Sequence, residues 1–94
     1  MNKKIKIIEC PRDAMQGIAE FIPTQTKVDY LNQLLKVGFD TIDFGSFVSP
    51  KAIPQLKDTA QVLENLNMSN TDSKLLAIIA NTRGARDAAK FDQI

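Results

Sequence analysis

The sequence predicts an α/β fold built on parallel strands. Three short apolar runs alternate with segments whose apolar residues recur at helical spacing, in the order βαβαβα. This alternation favours parallel strands joined by right-handed crossovers. Each apolar run ends in a small polar cluster, and parallel strands would bring all three clusters to one carboxyl edge of the sheet. In α/β folds that edge is where ligands bind.

The first unit begins with an isoleucine-rich strand over residues 3–9, whose lysines stand at the entry end and at alternate positions. Cys10 and Pro11 end the strand, because proline cannot donate to the hydrogen-bond ladder. A long loop is predicted over residues 11–23, with one helical turn at residues 15–20.

The first long helix is predicted to start at Pro23 and Thr24, and a capping box formed by Thr26 and Asp29 is an alternative start. Gly38 is expected to end the helix in a left-handed conformation. The predicted apolar face consists of Val28, Leu31, Leu34, Leu35 and Val37.

The second and third units follow the same pattern. A strand over residues 40–44 leads through a loop at 45–50 into a helix over residues 53–66. The third strand covers residues 74–80, where a nearly continuous apolar run is typical of a strand covered on both faces. A last helix is predicted over residues 84–91. The apolar face of the 53–66 helix is Leu56, Ala60, Leu63 and Leu66.

Composition narrows the functional class. Ninety-four residues allow one domain over residues 1–94, and a net charge of +1 gives no reason to expect binding to nucleic acid or an anionic membrane. No apolar stretch approaches the roughly 18 residues that span a bilayer, so no membrane partner is expected. One cysteine and the lack of a signal-like apolar segment favour the cytoplasm.

The absence of histidine excludes Ser–His and Cys–His nucleophilic sites within this chain. Cys10 therefore has no histidine base, and a small buried thiol is the favoured interpretation over a nucleophile.

The polar clusters contain side chains that could bind a hard cation and the oxygen atoms of a substrate. Asp13 can supply an oxygen ligand to a hard cation such as Mg²⁺ or Mn²⁺. Arg12 can stabilise an oxygen that gains negative charge, and Asp43 can hold Arg12 by a charge-assisted contact. Gln16 and Asn81 can hydrogen-bond polar groups of a substrate.

Each of these residues also has a structural interpretation. Arg12 and Asp13 can form a surface ion pair or a turn, and Asp43 can cap a loop. Ser46 can set the turn after the second strand. Asn81 can cap the third helix, and the sequence favours neither role of Asn81 over the other.

Three segments resemble hydroxymethylglutaryl-CoA lyase and, more broadly, the metal-dependent acyl-CoA lyases and condensing synthases. The resemblance extends over about residues 4–90. The Pro-Arg-Asp motif marks only the superfamily, whereas Ser-Phe-Val-Ser-Pro-Lys followed by Pro-Gln is more specific to the lyases. The three segments are ECPRDAMQ at residues 9–16, TIDFGSFVSPKAIPQ at residues 41–55 and IIANTRG at residues 78–84.

The resemblance implies that this chain is the first three βα units of a TIM (β/α)8 barrel, and therefore an incomplete barrel. Such a barrel needs roughly 200 residues or more. A three-stranded parallel sheet would leave two bare edges. We expect the chain to be the first part of something larger: a truncated product, an expressed fragment, or a partial barrel completed by association or as a homo-oligomer.

The resemblance also implies an activity and its residues. The family cleaves 3-hydroxy-3-methylglutaryl-CoA to acetyl-CoA and acetoacetate with Mg²⁺ or Mn²⁺. Asp13 matches the family's metal-binding aspartate, and Arg12 matches the arginine that stabilises the enolate. Gln16 matches a glutamine that contacts the acyl-CoA substrate, and Asp43 falls where the family has a glutamate near the arginine. Two further positions match residues that line the pocket: Ser46 and Asn81.

The chain departs from the family pattern in several places. Cys10 and Ala14 stand where glycine is usual, Met15 replaces a leucine, and Asp43 is one methylene shorter than the usual glutamate. The family's other metal ligands, a His-x-His pair and an asparagine, lie on later strands together with its catalytic loop cysteine. We therefore expect the remaining ligands to lie outside this chain and the isolated chain to be inactive.

Two alternatives stay open at this point. The first is a condensing synthase or carboxyltransferase of the same superfamily, which would use Arg12 and Asp13 on another acyl substrate. The second is a non-catalytic barrel fragment that associates with itself or with another partial barrel through its exposed strand edges.

Overall fold

The structure, a computed structural model, describes residues 5–94 as a three-stranded sheet with helices at its connections. The strand order is β1-β2-β3 and both pairs are parallel, which confirms the predicted alternation. Within this part of the chain, no helix is long and apolar enough to cross a membrane. The elements are β1 (Ile8–Glu9), α1 (Pro11–Gln16), α2 (Thr24–Leu35), β2 (Thr41–Ser46), a 3-10 turn (Pro54–Leu56), α3 (Thr59–Glu64), β3 (Lys74–Ile78) and α4 (Thr82–Ala89).

One face of the sheet packs on α2 and α3 and forms the core. Because strand side chains alternate between faces, Ile42 and Phe44 of β2 point to the same side, and both belong to the core with Leu75 of β3. The remaining buried core residues come from the two helices: Val28, Leu31, Leu35, Val62 and Leu63.

The opposite face of the sheet carries Asp43 and is only partly covered. The short helix α1 packs against β2 on this side. Leu76 and Ile79 are exposed, so the prediction that the third strand is covered on both faces is wrong for this structure. The exposed apolar residues of this strand could be buried by further packing elements, which residues 5–94 do not provide.

The segment after β1 differs from the predicted loop. The structure has a helix, α1, over Pro11–Gln16 in place of the single turn predicted at residues 15–20. Pro11 stands at the start of this helix, where its missing N–H costs nothing and its fixed backbone angle is already helical. Arg12, Asp13 and Gln16 are therefore held on a helix.

Other element boundaries also shift. Of the predicted first strand, residues 3 and 4 lie outside the described residues, and only Ile8–Glu9 pairs with β2. The helix predicted over residues 53–66 divides into the 3-10 turn and α3. Val37, predicted on the apolar face of α2, lies beyond the helix and is exposed. Gly38 has a φ of 96°, as expected for a left-handed helix end.

We expect Gly45→Ala to lower the free energy of unfolding by about 1–3 kcal/mol, the usual cost of overpacking. A Cβ at this position would lie 2.6 Å from Thr59 Cγ2 and 2.9 Å from Thr59 Oγ1. Thr59 cannot rotate away cheaply, because its hydroxyl donates to the Leu56 carbonyl and accepts from the Ser46 N–H. Urea unfolding followed by circular dichroism measures the effect.

Gly17→Ala is the matched control for this substitution. Its Cβ would have only an ordinary contact, 3.6 Å from the Ala14 carbonyl oxygen, and Gly17 has a helical φ of −78°. We expect this variant to be as stable as the native chain or slightly more stable. Equal losses in the two variants would contradict the explanation based on Thr59.

Candidate functional site

The carboxyl edge of the sheet carries a cluster built from α1 and β2. Cys10 follows β1 directly, and α1 then places Arg12 against Asp43 of β2 and Gln16 against Arg12. Asp43 stands in the middle of β2, where a register irregularity between Asp43 and Gly45 interrupts the pairing with β3. Such irregularities re-aim neighbouring side chains. The sheet edge predicted to gather the first two polar clusters does bring them into contact.

Arg12 and Asp43 form a two-point ion pair, as predicted from the sequence. Arg12 Nε donates to Asp43 Oδ1 at 3.2 Å, and Arg12 Nη2 donates to Asp43 Oδ2 at 2.7 Å. The two side chains are 16% and 8% exposed, so solvent screens this pair less than it would screen a surface pair. The hydrogen bond to Asp43 raises the pKa of the Arg12 guanidinium, which stays charged.

Gln16 completes the support of the guanidinium. Arg12 Nη1 donates to Gln16 Oε1 at 2.7 Å, one helical turn further along α1. Of the five N–H groups of arginine, three are donated to oxygen atoms of Asp43 and Gln16, and Nη2 also donates to the Cys10 sulfur at 3.8 Å. Among the described residues, the N–H group left without a hydrogen-bond partner is on Nη1. A guanidinium fixed in this way can still donate to an oxygen that gains negative charge.

Cys10 is part of the same cluster, although its sequence pattern gives no reason to place it there. Its thiol donates to Asp43 Oδ2 at 3.2 Å, and Arg12 Nη2 lies 3.8 Å from the sulfur. Burial is the main factor that raises the pKa of the Cys10 thiol, and the contact with Asp43 raises it further. The thiol is therefore a neutral hydrogen-bond donor at neutral pH.

Asp13 is the residue of this cluster with chemistry suited to a divalent cation. Its side chain is 77% exposed, and its carboxylate lies 3.8 Å from Arg12 Nη1. Both oxygens of Asp43 already accept from Arg12 and Cys10. Within residues 5–94 no three His, Cys, Asp or Glu side chains lie together as a metal-binding group. Asp13 thus fits as a single hard oxygen ligand, and the described residues do not complete a site.

Ser46 is the last residue of β2, which continues past the predicted strand end at residue 44. Its side chain is buried, and its hydroxyl oxygen accepts from the Val48 N–H at 3.0 Å. The hydroxyl proton remains available for a further acceptor. The interpretation of Ser46 as a residue that sets the following turn is therefore supported, and its part in substrate binding stays a prediction.

Asn81 caps α4, which confirms the structural interpretation of this residue. Its side-chain oxygen accepts from the Gly84 N–H at 2.9 Å. Asn81 also lines an open cleft of about 340 Å³ with Ser49 and Arg83. No hydrogen bond joins Asn81 or Ser46 to Arg12 or Asp43 in the described part of the chain.

A second buried ion pair is one that the sequence did not predict. Lys27 Nζ donates to Asp58 Oδ1 and to the Gln55 carbonyl oxygen, both at 2.5 Å, and lies 4.3 Å from the centre of the Phe21 ring. Thr24 Oγ1 donates to Asp58 Oδ2 at 2.6 Å. One signal was present: a lysine one turn before Leu31 stands on the apolar face of α2.

Comparisons with known proteins agree on one family. No family model matches the chain. The chain is 36% identical over 87 residues to hydroxymethylglutaryl-CoA lyase of Bacillus subtilis, covering 92% of this chain and 29% of the relative. It is 34% identical over 87 residues to the mitochondrial hydroxymethylglutaryl-CoA lyase of Arabidopsis thaliana, covering 92% of this chain and 18% of that relative.

Solved structures give the same result at the level of the fold. The Bacillus subtilis HMG-CoA lyase superimposes with a TM-score of 0.86 at 34% identity, over 95% of this chain and 30% of that chain. An HMG-CoA lyase from Acinetobacter baumannii, in complex with coenzyme A and 3-methylmalate, superimposes with a TM-score of 0.85 at 40% identity, over 90% of this chain and 28% of its own. The chain thus spans less than a third of the length of these relatives.

Proposed function

Because the chain is homologous in sequence and fold to the N-terminal part of hydroxymethylglutaryl-CoA lyases, we propose that residues 1–94 are the start of a single (β/α)8 catalytic domain of this kind. The proposed activity is metal-dependent cleavage of 3-hydroxy-3-methylglutaryl-CoA to acetyl-CoA and acetoacetate. The observation that carries it is the Arg12–Asp43 pair at the carboxyl edge of the sheet, within a chain that is similar to lyases over most of its length.

The proposed reaction breaks one carbon–carbon bond. A base takes the proton from the tertiary hydroxyl of the substrate, and that oxygen becomes the ketone oxygen of acetoacetate. The bond between the hydroxyl-bearing carbon and the methylene next to the thioester breaks. Its electron pair forms the enolate of acetyl-CoA, which an acid then protonates on carbon. We assign neither the base nor the acid to this chain.

Arg12 would stabilise the enolate oxygen. Asp43 and Gln16 hold the guanidinium on both sides, so it needs no reorganisation when negative charge develops. Its remaining N–H group, on Nη1, is the donor from which the enolate oxygen would accept. Gln16, Ser46 and Asn81 would contact other oxygen and amide groups of the substrate. That the substrate is an acyl-CoA is supported by the coenzyme A bound to the Acinetobacter relative.

Asp13 would be one ligand of Mg²⁺ or Mn²⁺, with the remaining ligands outside this chain. Its exposed, negatively charged oxygens support this assignment. When bound, the metal would polarise the hydroxyl and carbonyl oxygens of the substrate. Since Asp43 is occupied by Arg12 and Cys10, its part is to hold the arginine.

We also propose that further βα units cover the outer strands. Ile5 and Ile7, next to β1, are 87% and 60% exposed, and Ile79 beyond β3 is exposed as well. In a barrel, neighbouring strands and helices would pack on these side chains. The cytoplasm remains the proposed location, on the strength of the single cysteine.

A chimera tests the proposed function. In this protein, residues 1–94 replace the matching segment of the Bacillus subtilis lyase, and acetoacetate release is followed with Mg²⁺. We expect turnover by the chimera and none by the 94-residue chain alone. A folded chimera without activity towards 3-hydroxy-3-methylglutaryl-CoA, but active on another acyl-CoA, would favour the condensing-synthase or carboxyltransferase alternative. Turnover by the 94-residue chain alone would contradict the assignment of the other metal ligands to residues outside it.

A further inference from the structure

Cys10 contacts both members of the Arg12–Asp43 pair. Its sulfur lies 3.2 Å from Asp43 Oδ2 and 3.8 Å from Arg12 Nη2. Asp43 Oδ2 consequently accepts from two donors, the guanidinium and the thiol. The Cys10 backbone N–H donates to Glu9 Oε1 at 3.2 Å, so the residue is also tied to the end of β1.

The thiol must act as the donor in this contact. An ionised carboxylate only accepts, so the proton between Cys10 Sγ and Asp43 Oδ2 comes from the sulfur. The partial burial of Cys10 and its contact with Asp43 both favour the protonated thiol, in agreement with this geometry.

The Cys10 contact restrains the carboxylate side of the ion pair, whereas Gln16 restrains the guanidinium side. Asp43 and Arg12 hold each other through two parallel hydrogen bonds, and Arg12 Nη1 donates to Gln16 Oε1. Cysteine has one side-chain torsion before its sulfur and is anchored between β1 and Pro11. A donor on so short a side chain restricts rotation of the Asp43 carboxylate.

We infer that Cys10 is a positioning residue for Arg12, which acts by fixing the Asp43 carboxylate and thereby the direction of the remaining guanidinium N–H group on Nη1. The effect of this positioning on catalysis rests on the proposed function. The contact between Cys10 and Asp43 can be tested in the 94-residue chain without any activity.

The short distance between Cys10 and Asp43 also limits the length of the acidic side chain that position 43 can carry. Glutamate would carry the carboxylate further by one carbon–carbon bond, about 1.5 Å. The present distance from Asp43 Oδ2 to the sulfur is only 3.2 Å. We therefore expect glutamate at position 43 to conflict with the Cys10 side chain and to be accommodated better when that side chain is removed.

Exchange of the Arg12 Nε–H with solvent, measured by nitrogen-15 NMR on the 94-residue chain, tests the positioning role. The signal is assigned by its loss in Arg12→Lys, and the exposed Arg83 and Arg86 are internal references. Cys10→Ser keeps a donor and should leave the exchange rate within about twofold. Cys10→Ala and Cys10→Val remove the donor, and exchange should become about 3- to 10-fold faster, the effect of one ordinary hydrogen bond.

Two results would overturn the inference. Exchange in Cys10→Ala at the native rate would show that the thiol does not restrain the pair, and a native rate in Cys10→Val would show that the side chain only fills space. Circular dichroism identifies any variant that fails to fold. If Cys10→Ala or Cys10→Val does not fold, Cys10→Ser still decides, because Arg12 exchange about 3- to 10-fold faster than native in a folded Cys10→Ser chain contradicts the donor role.

A double-mutant cycle tests the length selectivity. Asp43→Glu should speed Arg12 exchange about 3- to 10-fold when Cys10 is present, and by less than twofold in the Cys10→Gly background. Equal effects in the two backgrounds would refute the coupling. An inactive chimera would refute the lyase proposal and leave these exchange rates unaffected, so the two failures can be told apart.

Discussion

Arg12→Met is expected to lower kcat of the chimera by roughly 100- to 1,000-fold, the usual effect of removing one group that stabilises a developing oxyanion. Methionine keeps much of the side-chain length but removes the charge and all N–H donors. Asp43, with its side chain 8% exposed, would also lose its cation. Acetoacetate release at saturating substrate measures kcat, and the KM is measured in the same series.

Two variants separate chemistry from folding in this experiment. Arg12→Lys keeps the positive charge but not the two-point contact with Asp43, so we expect it to recover only part of the rate. Arg86→Met removes an exposed arginine of α4 and should leave kcat unchanged. A native kcat in a folded Arg12→Met chimera would rule out the enolate-stabilising role.

Lys27→Ala is expected to lower the free energy of unfolding by about 3–5 kcal/mol, because it leaves the buried carboxylate of Asp58 without its cation. The two side chains are 2% and 4% exposed. The Gln55 carbonyl oxygen would lose its donor as well, and Phe21 would lose one of the two lysine cations above its ring and keep Lys57. A loss of this size is a large part of the roughly 5–15 kcal/mol that stabilises a small domain. Urea unfolding of the 94-residue chain measures it.

Two controls test whether the loss of stability comes from the buried, unpaired carboxylate of Asp58. Lys36→Ala removes an exposed lysine just beyond α2 and should change stability by no more than about 0.5 kcal/mol. Replacing both partners, as Lys27→Met with Asp58→Leu, removes the unpaired charge and should restore most of the loss. If the double variant were as unstable as Lys27→Ala, the unpaired carboxylate would not be the cause.

The periodicity of apolar residues and the residues at strand ends determine the architecture and much of the site. The βαβαβα order follows from the spacing of apolar residues, which reports which side of each element is buried. One rule predicts the Arg12–Asp43 contact: the residues at the ends of parallel strands meet at the same edge. In the structure β2 continues to Ser46, so Asp43 lies within the strand and α1, packed against β2, brings Arg12 to it. The cap at Asn81 is one of two roles that the sequence leaves open, and it is open to prediction on local grounds because its partner is three residues away.

Only the tertiary structure shows the contacts between residues that are far apart in the sequence. Cys10 and Asp43 are separated by 33 residues, and Lys27 and Asp58 by 31. No local pattern reports such pairs, since each partner has an ordinary sequence environment. The sequence likewise places Arg12 just after β1, but only the packing of α1 against β2 determines which way its guanidinium faces, because that direction depends on the fit of two surfaces.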